Sequence, residues 1–265
     1  MRSVPNSPVM FFLGGNDLEM AEIRQLLKRA GSANVIDKGL PWGARASSYD
    51  EEIRACIKSA TRPVLIELEN DIGLDASQVD FVDHHGPSAG ACNPTSLEQV
   101  FRLLARPATE WSRWMELVAA NDRGGIEGLA DLGASSDEIA AVRQAERVAL
   151  AISPAEEAEA ERAVAAAEHP CKRLTIIRLA HARTAPVFDR IEPALGGSGY
   201  ENIVILSPGE TNFSGEWRIV ESLDREFPGG WTGGRKPVRG YWGRTGAPPR
   251  VVEWLLPRLC GDAHR

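Results

Sequence analysis

Apolar positions in the first third of the chain fall in short unbroken runs, and each run is followed by apolar residues at helical spacing. This is the pattern of strands buried on both faces with helices laid over them. Val9 to Leu13 is such a run and stops at Gly14-Gly15-Asn16-Asp17; Ile23, Leu26 and Leu27 then mark a helix from Leu18 to Ala30, closed by Gly31. Val35-Ile36 reads as a short strand, Tyr49 to Lys58 as a second helix, Pro63 to Leu68 as a clear strand, and Val79 to Val82 as another. Strands alternating with helices predict an α/β fold around a doubly wound parallel sheet.

From Ser96 to Glu168 the period is helical. Ser135-Ser136-Asp137-Glu138 and Ser153-Pro154-Ala155-Glu156 both fit a capping box, the second with proline at the first helical position, where its missing donor costs nothing. The alanine- and glutamate-rich stretch from Glu156 to Glu168 carries only a thin apolar stripe and reads as an exposed connecting helix ended by His169-Pro170. That places a domain boundary there, giving domains 1–168 and 169–265. The remainder is mixed: strand Leu174 to Leu179, helix Pro186 to Ala194, strands Ile203 to Leu206 and Thr211 to Trp217, and helix Ile219 to Phe227. A glycine-rich, basic and aromatic stretch from Pro228 to Arg244 follows, and a last helix, Arg250 to Leu259.

Composition narrows the function classes. Of 265 residues, 43% are hydrophobic and 25% charged, the make-up of an ordinary globular protein with ample core. There is no apolar run near 18 residues, and Met1 to Asn6 leads straight into a strand, so we expect a cytoplasmic protein with no membrane partner. Cys56, Cys92, Cys171 and Cys260 are scattered without a Cys-x-x-Cys pair, which predicts reduced packing residues and neither a zinc knuckle nor a disulfide framework. A net charge of −7 disfavours broad duplex binding, so an anionic substrate has to be captured locally, by a metal or by the basic segment from Arg235 to Arg258.

Candidate chemistry concentrates in Phe81-Val82-Asp83-His84-His85-Gly86, followed downstream by Asn121-Asp122-Arg123-Gly124. An apolar step ending in a carboxylate and two imidazoles delivers metal ligands to the carboxyl end of a strand, where open α/β sheets bind substrates. Glu67, Glu69, Asp71, Asp75, Asp80 and Asp83 crowd the same region, and like charges so close repel unless solvated or neutralised by a cation. Downstream, Trp231, Tyr241 and Trp242 are candidates to stack on a base or to plug a core.

With these residues the layout resembles the DHH phosphoesterase superfamily, in which a DHH domain is joined by a helical connector to a smaller mixed α/β domain, DHHA1. Asp83-His84-His85 looks like the third acidic motif of that group, Asn121-Asp122 like the fourth, and Glu69 or Asp71 sits where the second belongs. Gly229-Gly230-Trp231-Thr232-Gly233-Gly234 resembles the DHHA1 glycine loop in position. The first motif departs from the family: Gly14-Gly15-Asn16-Asp17 lacks its histidine, and Asn16 is only a neutral donor. The resemblance implies one or two Mn2+ or Mg2+ ions held by Asp17, Asp71, Asp83, His84 and Asp122. Asp83 and His85 would be catalytic. Gly229, Gly230, Gly233, Gly234, Arg218, Arg235, Lys236 and Arg239 would receive a small phosphorylated substrate such as a nucleotide, short single-stranded oligonucleotide or cyclic dinucleotide. It also leaves room for a homodimer, and for a catalytically weak nucleotide- or phosphate-binding sensor or partner subunit on the same fold.

Overall fold

The computed structural model describes residues 8–84, 93–246 and 250–261, and the chain forms two compact units, residues 1–150 and 151–265.

The first unit is built on four parallel strands, β1 (Val9–Leu13), β2 (Val35–Asp37), β3 (Arg62–Ile66) and β4 (Asp80–Val82), in the order β2-β1-β3-β4. Because side chains alternate, Phe12 and Leu65 face one way, into a cluster with Tyr49, Ile53 and Val79. Phe11, Leu13, Val64 and Ile66 face the other way and are buried too. Burial on both faces is why these strands read as unbroken apolar runs. Five helices complete the unit: α1 (Leu18–Arg29), α2 (Asp50–Lys58), α3 (Ser96–Leu103), α4 (Arg113–Asp131) and α5 (Ser136–Ala149). The Ser135 capping box at the start of α5 forms as expected, its hydroxyl accepting from the Glu138 amide while Glu138 accepts from the Ser135 amide. Tyr49 ties the unit together at the carboxyl edge of the sheet. Its buried hydroxyl donates to the Leu13 carbonyl at 2.7 Å and accepts from the Lys38 amide at 2.9 Å.

The second unit contains α6 (Pro154–Ala165), α7 (Ala185–Ile191), α8 (Trp217–Glu226) and α9 (Arg250–Cys260) around a six-stranded mixed sheet. Its strands are β5 (Glu168–Cys171), β6 (Leu174–Arg178), β7 (Ile203–Ser207), β8 (Glu210–Glu216), β9 (Trp231–Arg235) and β10 (Arg239–Thr245), in the order β5-β6-β7-β8-β10-β9. Only β6 and β7 pair in parallel; the other pairs are antiparallel. One face packs Leu174, Ile176, Val204, Phe213 and Trp242 against α8 and α9. The other packs Ile177, Ile203 and Ile205 against α6 and α7.

Three expectations are revised here. The helix expected to be an exposed connector between domains is α6, and it belongs to the second unit: Ala160 and Ala163 are buried beside Ile177, Leu179 and Val187. A methyl stripe suffices where a helix lies close on a sheet, and its thinness hid the contact. The division of the chain accordingly falls between Leu150 and Ala151, ahead of the boundary expected at His169. The cysteines are not all reduced, because Cys171 on β5 and Cys260 at the end of α9 form a disulfide with Cα atoms 5.6 Å apart. Spacing along the chain is silent about a pair 89 residues apart. Cys56 is free and buried, and Cys92 lies outside the described residues. Among the described residues, no helix is long and apolar enough to cross a membrane.

Tyr49→Phe should leave the fold intact and lower stability by about 1–3 kcal/mol, because it strips the buried Leu13 carbonyl and the part-buried Lys38 amide of their shared partner. Urea unfolding monitored by circular dichroism measures this. An unchanged midpoint would show that the hydroxyl does not hold the sheet edge.

Candidate metal centre

The exits of β1, β3 and β4 lie side by side, since Leu13 pairs with Ile66 and Ile66 with Val82. The chain leaves β1 so close to β3 that a Cβ on Gly14 would come within 2.2 Å of the Glu67 carbonyl oxygen. Only glycine fits there. Glu67 itself adopts a left-handed conformation (φ 51°), and its amide donates to the Val82 carbonyl at 2.8 Å, holding the exits of β3 and β4 together.

Past Gly14, Asp17 caps α1 by accepting from the Met20 amide at 2.8 Å. This cap sets Glu19 in the first turn, pointing inward with 2% of its surface exposed. The Glu19 Oε1 atom accepts from the Leu97 amide at 2.8 Å, one of the donors that the first turn of α3 leaves without a helical partner. His84, two residues beyond β4, is 4% exposed, and its Nε2 is hydrogen bonded to Oδ2 of Asp122 on α4. Asn121 accepts from Arg143 of α5 at 2.8 Å. Just past Asp122, α4 breaks at Gly124 and Gly125, the latter at φ 58°.

Glu19, His84 and Asp122 thus offer three ligand atoms all within 4.8 Å of one another. Donors held at about 2.0–2.6 Å from one ion span no more than roughly 5 Å, so the spread fits a single cation. Burial holds the Glu19 carboxyl well above the usual carboxylate range, with the charge of Asp122 adding to the effect. Asp122 is raised likewise, by burial first and then by the charges of Glu67 and Asp17. Carboxylates with one imidazole suit Mn2+ or Mg2+, and a cation would supply the compensation that crowded buried acids lack. The residues present fit such an ion.

The residues singled out from the sequence are distributed as follows. Asp17, His84 and Asp122 come together here, Asp17 through its charge on Asp122. Asp83 is half-buried beside His84 and its carbonyl accepts from Gln99 at 3.0 Å. Asn16 turns its amide to the Ala149 carbonyl at the end of α5. Asp71 is exposed, with its carboxylate on the Ser47 amide at 2.9 Å, and Glu69 pairs with Arg45 on the surface. His85 lies outside the described residues.

Two members of the cluster, Glu19 and Glu67, were not singled out as ligands. Glu19 has a signal in Asp17-Leu18-Glu19, two acids at i and i+2 opening a helix. The apolar run predicts a strand to Leu68 and places the exit acid at Glu69 or Asp71, whereas β3 ends at Ile66 and puts Glu67 at the exit.

In the second unit the glycine-rich stretch forms strand rather than loop. Gly229 and Gly230 precede β9, and Gly233 and Gly234 lie within it. Of the basic candidates, Arg218 pairs with Glu216 at 2.6 Å and Lys236 with Glu221 at 3.0 Å. Arg239 lies over the Tyr200 ring and donates to the Glu201 carbonyl at 3.1 Å, while Arg235 is exposed.

No family model and no curated protein matches the chain. Among solved structures, a RecJ in complex with Mn2+ from Thermus thermophilus is similar at 13% identity and a TM-score of 0.48. That match takes in 98% of this chain, which spans 52% of the RecJ chain. A pGpG-specific phosphodiesterase, PggH, from Vibrio cholerae is similar at 13% identity and a TM-score of 0.46, over 97% of this chain and 100% of that one. An exonuclease RecJ bound to manganese gives 13% and 0.45, over 98% and 90%. At such identities the likeness is one of chain course, and what the site can do is carried by its own residues.

Raised carboxyls fix the sign of a pH dependence. A group whose folded pKa lies above its unfolded value of about 4 stabilises the fold at low pH and loses that contribution as pH rises. Glu138 and Glu216, held down at about 2, act in the opposite sense: their contribution is fully present above the unfolded value, is lost as pH falls toward 2, and so stays constant across the neutral range. Metal-free protein should therefore melt at progressively lower temperature as pH is raised from about 4.5 to 8. Glu19→Gln or Asp122→Asn should flatten the decline, and Mn2+ should reverse it in the native protein only. Calorimetry at several pH values checks this, and parallel curves for native protein and variants would remove the argument.

Proposed function

We propose that this chain is a divergent DHH-type phosphoesterase that uses Mn2+ or Mg2+ to hydrolyse a small phosphorylated substrate: a nucleotide, a short oligonucleotide or a cyclic dinucleotide. The observation that carries the reading is the convergence of Glu19, His84 and Asp122, from α1, the end of β4 and α4, with Asp17 and Glu67 acting on the same point. Glu19, His84 and Asp122 would hold the ion, and Asp17, Glu67 and Asp83 would add charge around it. When bound, such an ion acidifies water and neutralises charge on phosphoryl oxygens.

The chain's own groups do the positioning. The Leu97 amide fixes one oxygen of Glu19 and leaves the other for a cation. Asp122 fixes the orientation of the His84 ring through Nε2. Asn121, gripped by Arg143, holds this part of α4 against α5, and orienting contacts of this kind are costly to lose. Asp83 and His85 remain the proposed catalytic pair, and Arg218, Arg235, Lys236, Arg239 and the neighbouring glycines remain the proposed substrate-binding residues of the second unit. The proposal keeps the cytoplasmic location read from the sequence.

Hydrolysis of bis(p-nitrophenyl) phosphate should require added Mn2+ or Mg2+, vanish in EDTA and return on adding metal back. Orienting residues of metal sites typically cost about 10–100-fold when replaced, so Glu19→Gln and Asp122→Asn, which remove donors, should cost at least that much in kcat/KM. Asp71→Asn should stay near the native rate, since the Asp71 carboxylate is exposed on the Ser47 amide. Binding of a nucleotide with no metal-dependent hydrolysis over a panel of phosphodiesters would replace the enzyme with a binding protein.

A further inference from the structure

Three consecutive residues at the start of α3 each reach a different element of the candidate metal centre. The amide of Leu97 donates to Glu19 on α1 at 2.8 Å. The carboxylate of Glu98 accepts from Arg123, the residue after Asp122 on α4, at 2.7 Å. The side-chain amide of Gln99 donates at 3.0 Å to the carbonyl of Asp83, the residue before His84 at the exit of β4. Glu19, His84 and Asp122 thus all meet one helical turn, directly or through the adjoining residue.

The start of a helix can do this where its middle cannot. Amides of the first turn have no helical acceptor, which frees the Leu97 donor for Glu19. Side chains of consecutive residues diverge by about 100°, so Glu98 and Gln99 leave α3 in different directions. A capping box fixes the turn from which they diverge: the Thr95 hydroxyl accepts from the Glu98 amide, and Glu98 accepts from the Thr95 amide at 2.7 Å. The turn is embedded, since Thr95, Ser96, Leu97 and Val100 are wholly buried.

Two of the ligands need such support. β4 stops two residues before His84, and α4 loses helical geometry at Gly124, two residues after Asp122. Regular backbone structure therefore holds each of these ligands from one side only. On α4 side chains make up the difference. Asn121 is gripped by Arg143 of α5 at 2.8 Å and Arg123 by Glu98 of α3, so Asp122 stands between two anchored neighbours. The side chains of Arg123 and Glu98 are 26% and 23% exposed, and a pair partly withdrawn from water is screened less than one on the surface. Gln99 does the same for the β4 exit, and its amide group also donates at 3.0 Å to the carbonyl of Pro94, the residue before the Thr95 cap.

We propose that the first turn of α3 sets the spacing of the metal ligands, with Glu98, Gln99 and Arg123 as positioning residues that act through Asp122 and His84. The proposal rests on the phosphoesterase reading, because the groups held in place are the metal ligands of that reading. Removing one strap frees one ligand and leaves the other two where they are, so metal affinity falls while the fold persists.

The test is a titration of the metal-free full chain with Mn2+, the free ion being followed by electron paramagnetic resonance. Arg123→Met and Gln99→Met should each raise the Kd for Mn2+ by about 10- to 100-fold, the usual cost of losing a residue that orients a ligand. Arg123→Lys, which keeps a charged donor for Glu98, should recover most of the affinity. Arg113→Met, on the same helix but paired with Glu138 at 2.9 Å, should bind Mn2+ like the native protein. At saturating Mn2+ the loss in hydrolysis of bis(p-nitrophenyl) phosphate should fall on kcat, with KM unchanged. In the unaltered protein Mn2+ should slow hydrogen exchange across residues 95–103 and leave 250–260 as they are, which serves if a variant fails to fold. Native Mn2+ affinity in both methionine variants, an equal loss in Arg113→Met, a raised KM at unchanged kcat in Arg123→Met, or no added protection of α3 overturns the proposal and leaves the metal centre standing. No Mn2+ binding by the unaltered protein removes the phosphoesterase reading, and this proposal with it.

Discussion

The hydrogen bond from the Leu97 amide to Glu19 is the interaction on which the first unit's candidate site depends. Burying a carboxylate to 2% exposure is costly unless its oxygens are satisfied, and one oxygen of this one takes a donor that the first turn of α3 has no other use for. The bond joins the start of α1 to the start of α3, two elements separated in sequence by strands β2, β3 and β4. With Glu19 fixed, the inward face of the strand exits holds carboxylates that raise one another's proton affinity, and His84 meets Asp122 between them. The arrangement is poorly compensated without a cation, and that imbalance gives it chemical direction.

The second unit solves a different problem. Tyr241 rests against Gly233 and Trp231 against Gly243, each ring on a glycine of the neighbouring strand. Two of the glycines that suggest an anion-binding loop in the sequence are required by contact: a Cβ on Gly233 would meet the Tyr241 hydroxyl at 2.2 Å, and one on Gly230 the Gly243 carbonyl oxygen at 2.2 Å. Backbone bareness here serves close packing along β9 and β10.

Much of the first unit was legible because burial on both sheet faces writes strands as solid apolar runs, and because capping boxes such as Ser135–Glu138 are local chemistry that needs no tertiary context. Legibility failed where long-range contact decided the outcome. A strand read as ending at Leu68 ended at Ile66, so the acid at its exit was sought at Glu69 and Asp71 and not at Glu67. The alanines of α6 looked like solvent-facing filler until β6 was laid against them. Cys171 and Cys260 carry no spacing signal, since only the packing of β5 against α9 brings them together. His84 and Asp122 were visible at once, as short polar insertions after apolar segments stand out in any register.

The break of α4 at Gly124–Gly125 has an electrostatic consequence. A helix that ends just past Asp122 brings the partial negative charge of its carboxyl end to the neighbourhood of an acidic side chain, where an unbroken helix would have carried that end a further turn and a half away. Meanwhile α3 offers the positive end of its dipole to Glu19. The two helix ends form a small oriented field across the cluster, running from α3 toward the α4 break, that draws positive charge to the Asp122 side. Such a field adds to the pull of the carboxylates on positive charge, and its attraction grows with the charge of whatever it draws in.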